Sequence, residues 1–234
     1  MDKFLRKIST LLVYLFLICN SILVLGPVIW TIMASFKKGN NLFSSTFSGI
    51  EFTFDHYITL FTDTPYMQWY LNTFILATAN MLISLIVVTM TAYVFSRYRF
   101  RGKRNTLMSI LVLQMFPAFL SMTAIYILLS KANLIDTYTG LLLVYVTGSL
   151  PFMTWLVKGY FDAIPTSLDE AAKIDGAGHL TIFIQIILPL AKPILVFVGL
   201  VSFTGPWMDF ILPTLVLRSE DKMTLAIGIF SWIA

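Results

Sequence analysis

The sequence predicts an all-α integral membrane protein, and three observations lead to that prediction. The chain of 234 residues is 58% hydrophobic and only 12% charged, about half the charged share of an ordinary soluble domain. It contains four uncharged stretches of at least 21 residues, and a helix needs roughly 20 residues to cross about 30 Å of hydrocarbon. The polar residues are concentrated in the connections between these stretches.

Each predicted helix is defined by an apolar run. The first four runs cover residues 8–36, 64–96, 105–130 and 137–157. A fifth run, residues 193–217, is interrupted only by Asp209, and a sixth begins at Met223. The sixth reaches the last residue of the sequence before it is long enough to span a bilayer. We therefore expect a topology of six helices in which helix 6 is truncated.

Lysine and arginine fall unequally on the two sides of this topology. With the N-terminus inside, the outer side holds five of the 16 basic residues, and eleven remain inside. The outer five are Lys37, Lys38, Lys131, Arg218 and Lys222. Cytoplasmic loops collect Lys and Arg, so the sequence predicts a multi-pass cell-membrane protein with a cytoplasmic N-terminus. The same rule makes the basic cluster from Arg97 to Arg104 a cytoplasmic connection rather than a nucleic-acid patch.

The predicted organisation is a single membrane domain preceded by one helix. Residues 1–68 form the first transmembrane helix and an external loop rich in aromatic residues, and residues 69–234 form the domain. We expect no catalytic residues, cofactor or metal. The sequence has no Walker A, H-E-x-x-H or G-x-S-x-G motif, and its two histidines, His56 and His179, fall on opposite sides of the membrane.

The longest cytoplasmic connection, residues 159–192, carries the most specific pattern in the chain. Loops of this length in compact proteins are usually functional. Ser167 and Glu170 have the spacing of a capping box, with Pro165 just upstream. Gly176 is placed to end the helix in a left-handed turn. The sequence therefore predicts a short, rigid, polar helix at the membrane surface, suited to contact with another protein.

A longer motif runs through the same connection. It reads Glu-Ala-Ala, three residues, Gly, nine residues, Ile, one residue, Leu-Pro, and it is met at Glu170-Ala171-Ala172, Gly176, Ile186 and Leu188-Pro189. Asp175 directly before the glycine fits the common local form. On these residues the chain resembles the permease subunits of ATP-binding-cassette importers, the binding-protein-dependent, MetI-like family.

Other segments make the resemblance closest to the carbohydrate branch, and to the second permease of maltodextrin and related oligosaccharide importers. They are Tyr57, Trp69, Asn72-Thr73, Trp207-Met208-Asp209-Phe210, Leu212-Pro213 and the run from Thr224 to Gly228. Many members have Asn where this chain has Met208. The resemblance implies sugar import with a second permease subunit, an ATPase dimer and an external solute-binding protein, within membrane lipid. Hydrolysis of ATP would belong to the separate ATPase.

The resemblance also implies roles for the motif residues. The helix would couple to the ATPase, with Glu170 as its charged contact and Ala171 and Ala172 as a thin face that a partner backbone can approach. Gly176 would allow the turn, and Leu188-Pro189 would redirect the chain into helix 5. A stand-alone transporter driven by an ion gradient is the alternative. It predicts paired charges within the membrane or inverted repeats, and neither is evident in the sequence.

Asp209 is the only acid within an apolar run. A charge at the centre of a membrane helix costs roughly 2.5–3.5 kcal/mol on insertion scales, so such residues usually face protein or water. Two interpretations stay open at this point. Asp209 lines the translocation path, or it bonds neighbouring helices.

Overall fold

The computed structural model describes residues 2–39 and 51–232, with the backbone alone described at residues 2–5 and 118. Within these ranges the regular structure is helical, apart from an isolated antiparallel bridge between Lys37 and Phe52. The predicted all-α fold class is therefore confirmed. The chain divides into two compact units, Met1–Pro65 and Tyr66–Ala234.

The first unit contains α1 (Asp2–Ser35) and α2 (Asp55–Thr62). The side chains of α1 are exposed from residue 6 to residue 33, which leaves a long apolar surface for a membrane to cover. Part of the segment that the sequence predicts to be a loop after α1 is helical, since α2 lies within it. The hydroxyl oxygen of Thr53 accepts a hydrogen bond from the N–H of Asp55 at 3.0 Å, and Tyr57 packs against the ring of Phe36.

The second unit contains the remaining helices. They are α3 (Tyr66–Arg97), α4 (Lys103–Gln114), α5 (Ala118–Lys131), α6 (Tyr138–Asp162), α7 (Thr166–Ile174), α8 (His179–Ile182), α9 (Leu188–Leu190), α10 (Lys192–Met208), α11 (Ile211–Val216) and α12 (Leu225–Ser231). A π-helical turn, Phe183–Ile187, joins α8 to α9, and a 3-10 turn, Glu220–Lys222, precedes α12.

Three helices are long and apolar enough to cross a membrane unbroken. They are Arg6–Ser35, Tyr66–Arg97 and Tyr138–Asp162. Two bent pairs of helices pass the same test when each pair is taken together: Lys103–Gln114 with Phe119–Lys131 at 105°, and His179–Leu190 with Lys192–Met208 at 83°. By length and composition the described chain thus has three spans, or up to five if each bent pair counts as one.

The third and fifth apolar runs are each divided in the structure. The third breaks before Pro117, whose backbone is extended (ψ 120°) and which has no N–H to continue the helix. The fifth breaks at Asp209, which is also extended (φ −90°, ψ 121°). The sixth run contributes α12, and the predicted truncation of helix 6 concerns residues 233–234 and beyond, outside the described residues.

The core of the second unit lies around α3, which packs against α6 and α10. One apolar cluster occupies the end of the bundle near α7 and includes Val88, Val157 and Ile187. A second cluster, near the opposite end, includes Leu76 and Val216. Midway between them α3 and α10 are joined by a hydrogen bond from the amide of Asn80 to the carbonyl oxygen of Ser202 at 2.7 Å.

The short helix α12 is held by the first turns of α3. The amide of Asn72 donates to the carbonyl oxygens of Asp221 and Met223 at 2.8 and 2.9 Å. The hydroxyl of Thr73 accepts from the N–H of Leu225 at 2.8 Å. Gly228 lies so close to the ring of Trp69 that a Cβ there would be 2.0 Å from Cε3. These contacts explain locally why small and polar residues occupy this end of the bundle.

The connection before α6 is joined to the connection before α12 through Asp136. Its carboxylate accepts from the hydroxyl of Ser219 at 2.5 Å, from the backbone N–H groups of Arg218 and Ser219 at 2.9 and 3.0 Å, and from the ammonium of Lys222 at 2.9 Å. The Ser219 hydroxyl, followed by the backbone donors and Lys222, holds the pKa of Asp136 well below its ordinary value. Arg218 and Lys222, both predicted to face outward, thus lie together at the end of the bundle that carries Asp136.

Candidate functional site

Helix α7 ends in a glycine turn, as the sequence predicts. Gly176 has a φ of +85°, in the left-handed region. The N–H of Gly176 donates to the carbonyl oxygen of Lys173 at 3.0 Å, and that of Ala177 donates to Ala172 at 2.9 Å. This pair of bonds is the Schellman arrangement, which satisfies carbonyl groups at the end of a helix.

The predicted start of α7 is wrong. Thr166 is the first helical residue, Pro165 is the N-cap, and no side chain caps the helix. Ser167 therefore lies inside the first turn, one residue past the start, and cannot act as the first member of a capping box. The register of α7 is fixed instead by tertiary contacts of its inward face.

The inward face of α7 is anchored by an ion pair with α3. Nε of Arg97 lies 2.7 Å from Oδ2 of Asp169, and the two side chains are only 8% and 7% exposed. The guanidinium also donates to the carbonyl oxygens of Phe161 and Ile164, each at 3.0 Å. One arginine at the end of α3 therefore binds both the end of α6 and the short helix α7.

The outward face of α7 carries the acid and one of the alanines predicted to contact a partner. Glu170 and Ala171 are exposed, and Ile174, one turn further, is 87% exposed. Ala172 lies on the other side and packs against the apolar cluster near α7. The two alanines therefore face different surroundings, and only Ala171 has its side chain free at the surface of this chain.

The remaining motif residues follow α7 in order. Asp175 is exposed and forms the C-cap of the helix. Leu188 packs against the apolar cluster near α7, and Pro189 is exposed within α9. The chain then turns at Ala191 into α10, through the bend of 83°. The motif thus runs from α7 to the elbow that leads into α10.

Asp209 lies far from α7, at the end of α10. Its Oδ1 accepts from the backbone N–H groups of Ile211 and Leu212 at 3.0 and 3.3 Å, the first two of α11. Its Oδ2 accepts from the hydroxyl of Tyr145 on α6 at 3.0 Å. These contacts favour the structural interpretation, since the carboxylate connects α10, α11 and α6.

Three residues that position or complete α7 are not predicted from the sequence. Arg97 belongs by sequence to a basic cluster, yet in the structure it pairs with Asp169. Asp169 lies beside the motif residue Glu170 but is not itself part of the motif. The position of Ile174 could have been predicted, because an isoleucine one turn after Glu170 lies on the same face of a helix.

Comparison with known proteins agrees with this geometry. Residues 86–233 match the family described as "Binding-protein-dependent transport system inner membrane component". The chain belongs to this family. As a member of a family of inner membrane components, and with several apolar helices, it is a multi-pass membrane protein.

Two relatives show the branch of the permease family that this member is similar to. It is 41% identical to the maltodextrin transport system permease protein MdxG of Bacillus subtilis (strain 168), over 98% of this chain and 82% of that protein. It is 42% identical to the galactooligosaccharides transport system permease protein GanQ of the same organism, over 97% and 82%.

A solved structure matches the fold of this family member. It is the crystal structure of a bacterial ABC transporter involved in the import of the acidic polysaccharide alginate. The match has a TM-score of 0.86 and 26% sequence identity, and covers 97% of this chain and 81% of that chain. The predicted resemblance to permeases of ATP-binding-cassette importers is therefore confirmed.

Proposed function

We propose that this chain is one permease subunit of an ATP-driven importer that carries a sugar, of the maltodextrin or other oligosaccharide class, across the cell membrane. The names of its relatives support the substrate class. Its partners would be a second permease subunit, a dimer of ATPase subunits and an extracytoplasmic solute-binding protein. The N-terminus and α7 would lie on the cytoplasmic side, where the excess of Lys and Arg falls.

The outward face of α7 is the observation that carries this proposal. An isoleucine that is 87% exposed, beside an alanine and a glutamate, is an unusual surface for a short polar helix. Scattered exposed apolar residues are normal, but this one lies on a helix that is rigidly capped by Gly176 and anchored by Arg97. A cleft in the ATPase would cover Ile174 and pair Glu170 with a basic side chain.

The anchoring of α7 explains how a movement of the ATPase would reach the membrane. Arg97 binds α7 through Asp169 and the end of α6 through two carbonyl oxygens. A displacement of α7 would therefore be passed to α3 and α6 together. The elbow at Ala191 would pass it to α10 as well. Closure of the ATPase dimer on ATP would rock these helices as a group between inward-facing and outward-facing states.

The proposal is tested by charge reversal on α7. Glu170→Lys and Ile174→Asp should lower copurification of the ATPase subunit at least tenfold. Glu220→Lys, an equal change at an exposed position in the connection before α12, should leave copurification unchanged. Wild-type copurification and wild-type sugar uptake in both α7 variants would remove the coupling role.

A second measurement separates this proposal from a stand-alone transporter driven by an ion gradient. Sugar uptake into proteoliposomes should require ATP and the ATPase subunit, and should persist when proton and sodium gradients are collapsed. Apart from Arg97, which pairs with Asp169 at the end of the bundle, the buried polar side chains of the described α3, α6 and α10 are hydroxyls and the amide of Asn80. They provide no paired charges along the spans of the kind that ion coupling uses.

A further inference from the structure

A cavity of about 530 Å³ lies beside the start of α4 and the end of α6. Its lining includes the apolar side chains of Phe100, Met108 and Trp155 and the basic side chains of Lys103, Arg104 and Lys158. Three cations and no carboxylate therefore line one pocket. The motif on α7 does not use any of these residues, so the proposed coupling role leaves the cavity unexplained.

The cations differ in how far the protein already satisfies them. Lys103 donates to the carbonyl oxygens of Ser96 and Tyr98 at 3.4 and 3.1 Å, and Lys158 is paired with Asp162. Arg104 is exposed and has no hydrogen-bond or ion-pair partner among the described residues. Its guanidinium can bind a phosphate with two parallel N–H donors, a geometry that arginine offers and lysine does not.

The apolar walls decide what kind of anion the pocket fits. Met108 and Trp155 are 54% and 51% exposed beside the cations. A free phosphate would leave that apolar surface uncovered, whereas an acyl chain would cover it. Trp155 lies near the end of a membrane-spanning helix, which is the level where indole rings meet lipid headgroups. Basic pockets between transmembrane helices on the cytoplasmic side are known to bind phospholipid headgroups.

We propose that this cavity binds an anionic phospholipid, with the phosphate on Arg104 and Lys103 and the first part of an acyl chain against Trp155 and Met108. The proposal rests on the proposed orientation, with this end of the bundle on the cytoplasmic side, and it holds whichever substrate is imported. The bound lipid would join the start of α4 to α6, the helix whose end Arg97 also contacts. The lipid would thus be a structural component of the end of the bundle that carries α7.

The test uses Trp155 as the reporter in the assembled transporter. The complex is reconstituted in nanodiscs of phosphatidylcholine that contain brominated phosphatidylglycerol or, separately, brominated phosphatidylcholine. The signal is the quenching of wild-type fluorescence minus that of Trp155→Phe. We expect brominated phosphatidylglycerol to quench Trp155 with an apparent affinity at least fivefold higher than brominated phosphatidylcholine.

A matched pair of variants separates the pocket from general surface attraction. Arg104→Gln should lower the preference for phosphatidylglycerol about fivefold, the effect of one cation near a headgroup. Arg101→Gln removes the same charge three residues earlier, just before α4 and outside the cavity lining, and should change the preference less than twofold. Equal losses in both variants would overturn the proposal. So would equal quenching by the two lipids, which is also the result expected if the second permease covers the cavity.

Discussion

Arg97, the last residue of α3, and Asp169 on α7 form an ion pair with Nε and Oδ2 2.7 Å apart and both side chains more than nine-tenths buried. Two charges removed from water are stable only when each has close partners. Arg97 has four: the carboxylate, the carbonyl oxygens of Phe161 and Ile164, and the hydroxyl of Ser96. The position of α7 therefore depends on a residue 72 positions earlier in the chain (169 − 97).

The first prediction concerns this pair. Asp169→Asn should lower the free energy of unfolding by about 3–5 kcal/mol, because it leaves the buried guanidinium without its counterion. The measurement is denaturant titration of the purified complex in mixed micelles. Asp162→Asn is the matched control, since that acid pairs with Lys158 and is 43% exposed. It should cost about 1 kcal/mol or less. Equal losses in the two variants would contradict a dominant role for the buried pair.

The second prediction concerns the turn after α7. Gly176→Ala should cost about 1–2 kcal/mol, because its φ of +85° places a Cβ against the following carbonyl. No atom beyond the adjoining residues lies within 4 Å of a Cβ built there, so the cost comes from the local backbone conformation and not from a clash with the rest of the fold. Gly178→Ala tests this directly, since Gly178 has equal space and a φ of −74°. Thermal unfolding should separate the two variants, and an equal shift in both would rule out the left-handed turn as the cause.

The third prediction is a dependence of stability on pH at Asp136. Its folded pKa is lowered, first by the Ser219 hydroxyl and then by backbone N–H groups and Lys222. A lowered folded pKa means that the stabilisation is complete above the unfolded value, about 3.9, and is lost as the pH falls below it toward the folded value. The wild-type protein should therefore become less stable in that acid range. Asp136→Asn should lack the stabilisation from the ionised carboxylate already at neutral pH.

The measurement for Asp136 is thermal unfolding at a series of pH values. Asp136→Asn should be destabilised by about 1–3 kcal/mol at pH 7, since it weakens several bonds to a charged acceptor, and should show a flatter acid dependence than wild type. Asp221→Asn is the control, because that exposed acid is on the adjoining 3-10 turn. An unchanged acid profile in Asp136→Asn would show that another group controls it.

The fourth prediction separates the two interpretations of Asp209. Asn at this position keeps an oxygen for the N–H groups of Ile211 and Leu212 and an amide for the hydroxyl of Tyr145. Assembly and sugar uptake should therefore stay within about twofold of wild type, while Asp209→Ala should cost about 1 kcal/mol through the lost cap. Normal assembly of Asp209→Asn with strongly reduced uptake would instead assign the charge to the translocation path.

The sequence predicts the spans and the local turns well because both depend on short-range properties. An uncharged run of the length of residues 64–96 has few options other than a membrane helix, and α3 covers it. Gly176 and its position after the motif predict a left-handed turn, since few residue types adopt that conformation. The sequence does not distinguish a kink from a full break near Pro117 and Asp209, because a membrane helix tolerates proline or a single acid when its neighbours satisfy the backbone.

The sequence by itself determined that this is a helical membrane protein with a permease motif on a short helix at one end of the bundle. Tertiary structure alone decided which face of that helix is free. Asp169 and Glu170 are adjacent acids, and nothing local distinguishes them; Arg97, brought close by the packing of α3 against α6, buries one and leaves the other exposed with Ile174. The reason is that burial of a charge requires a partner, and distant partners are supplied only by the fold.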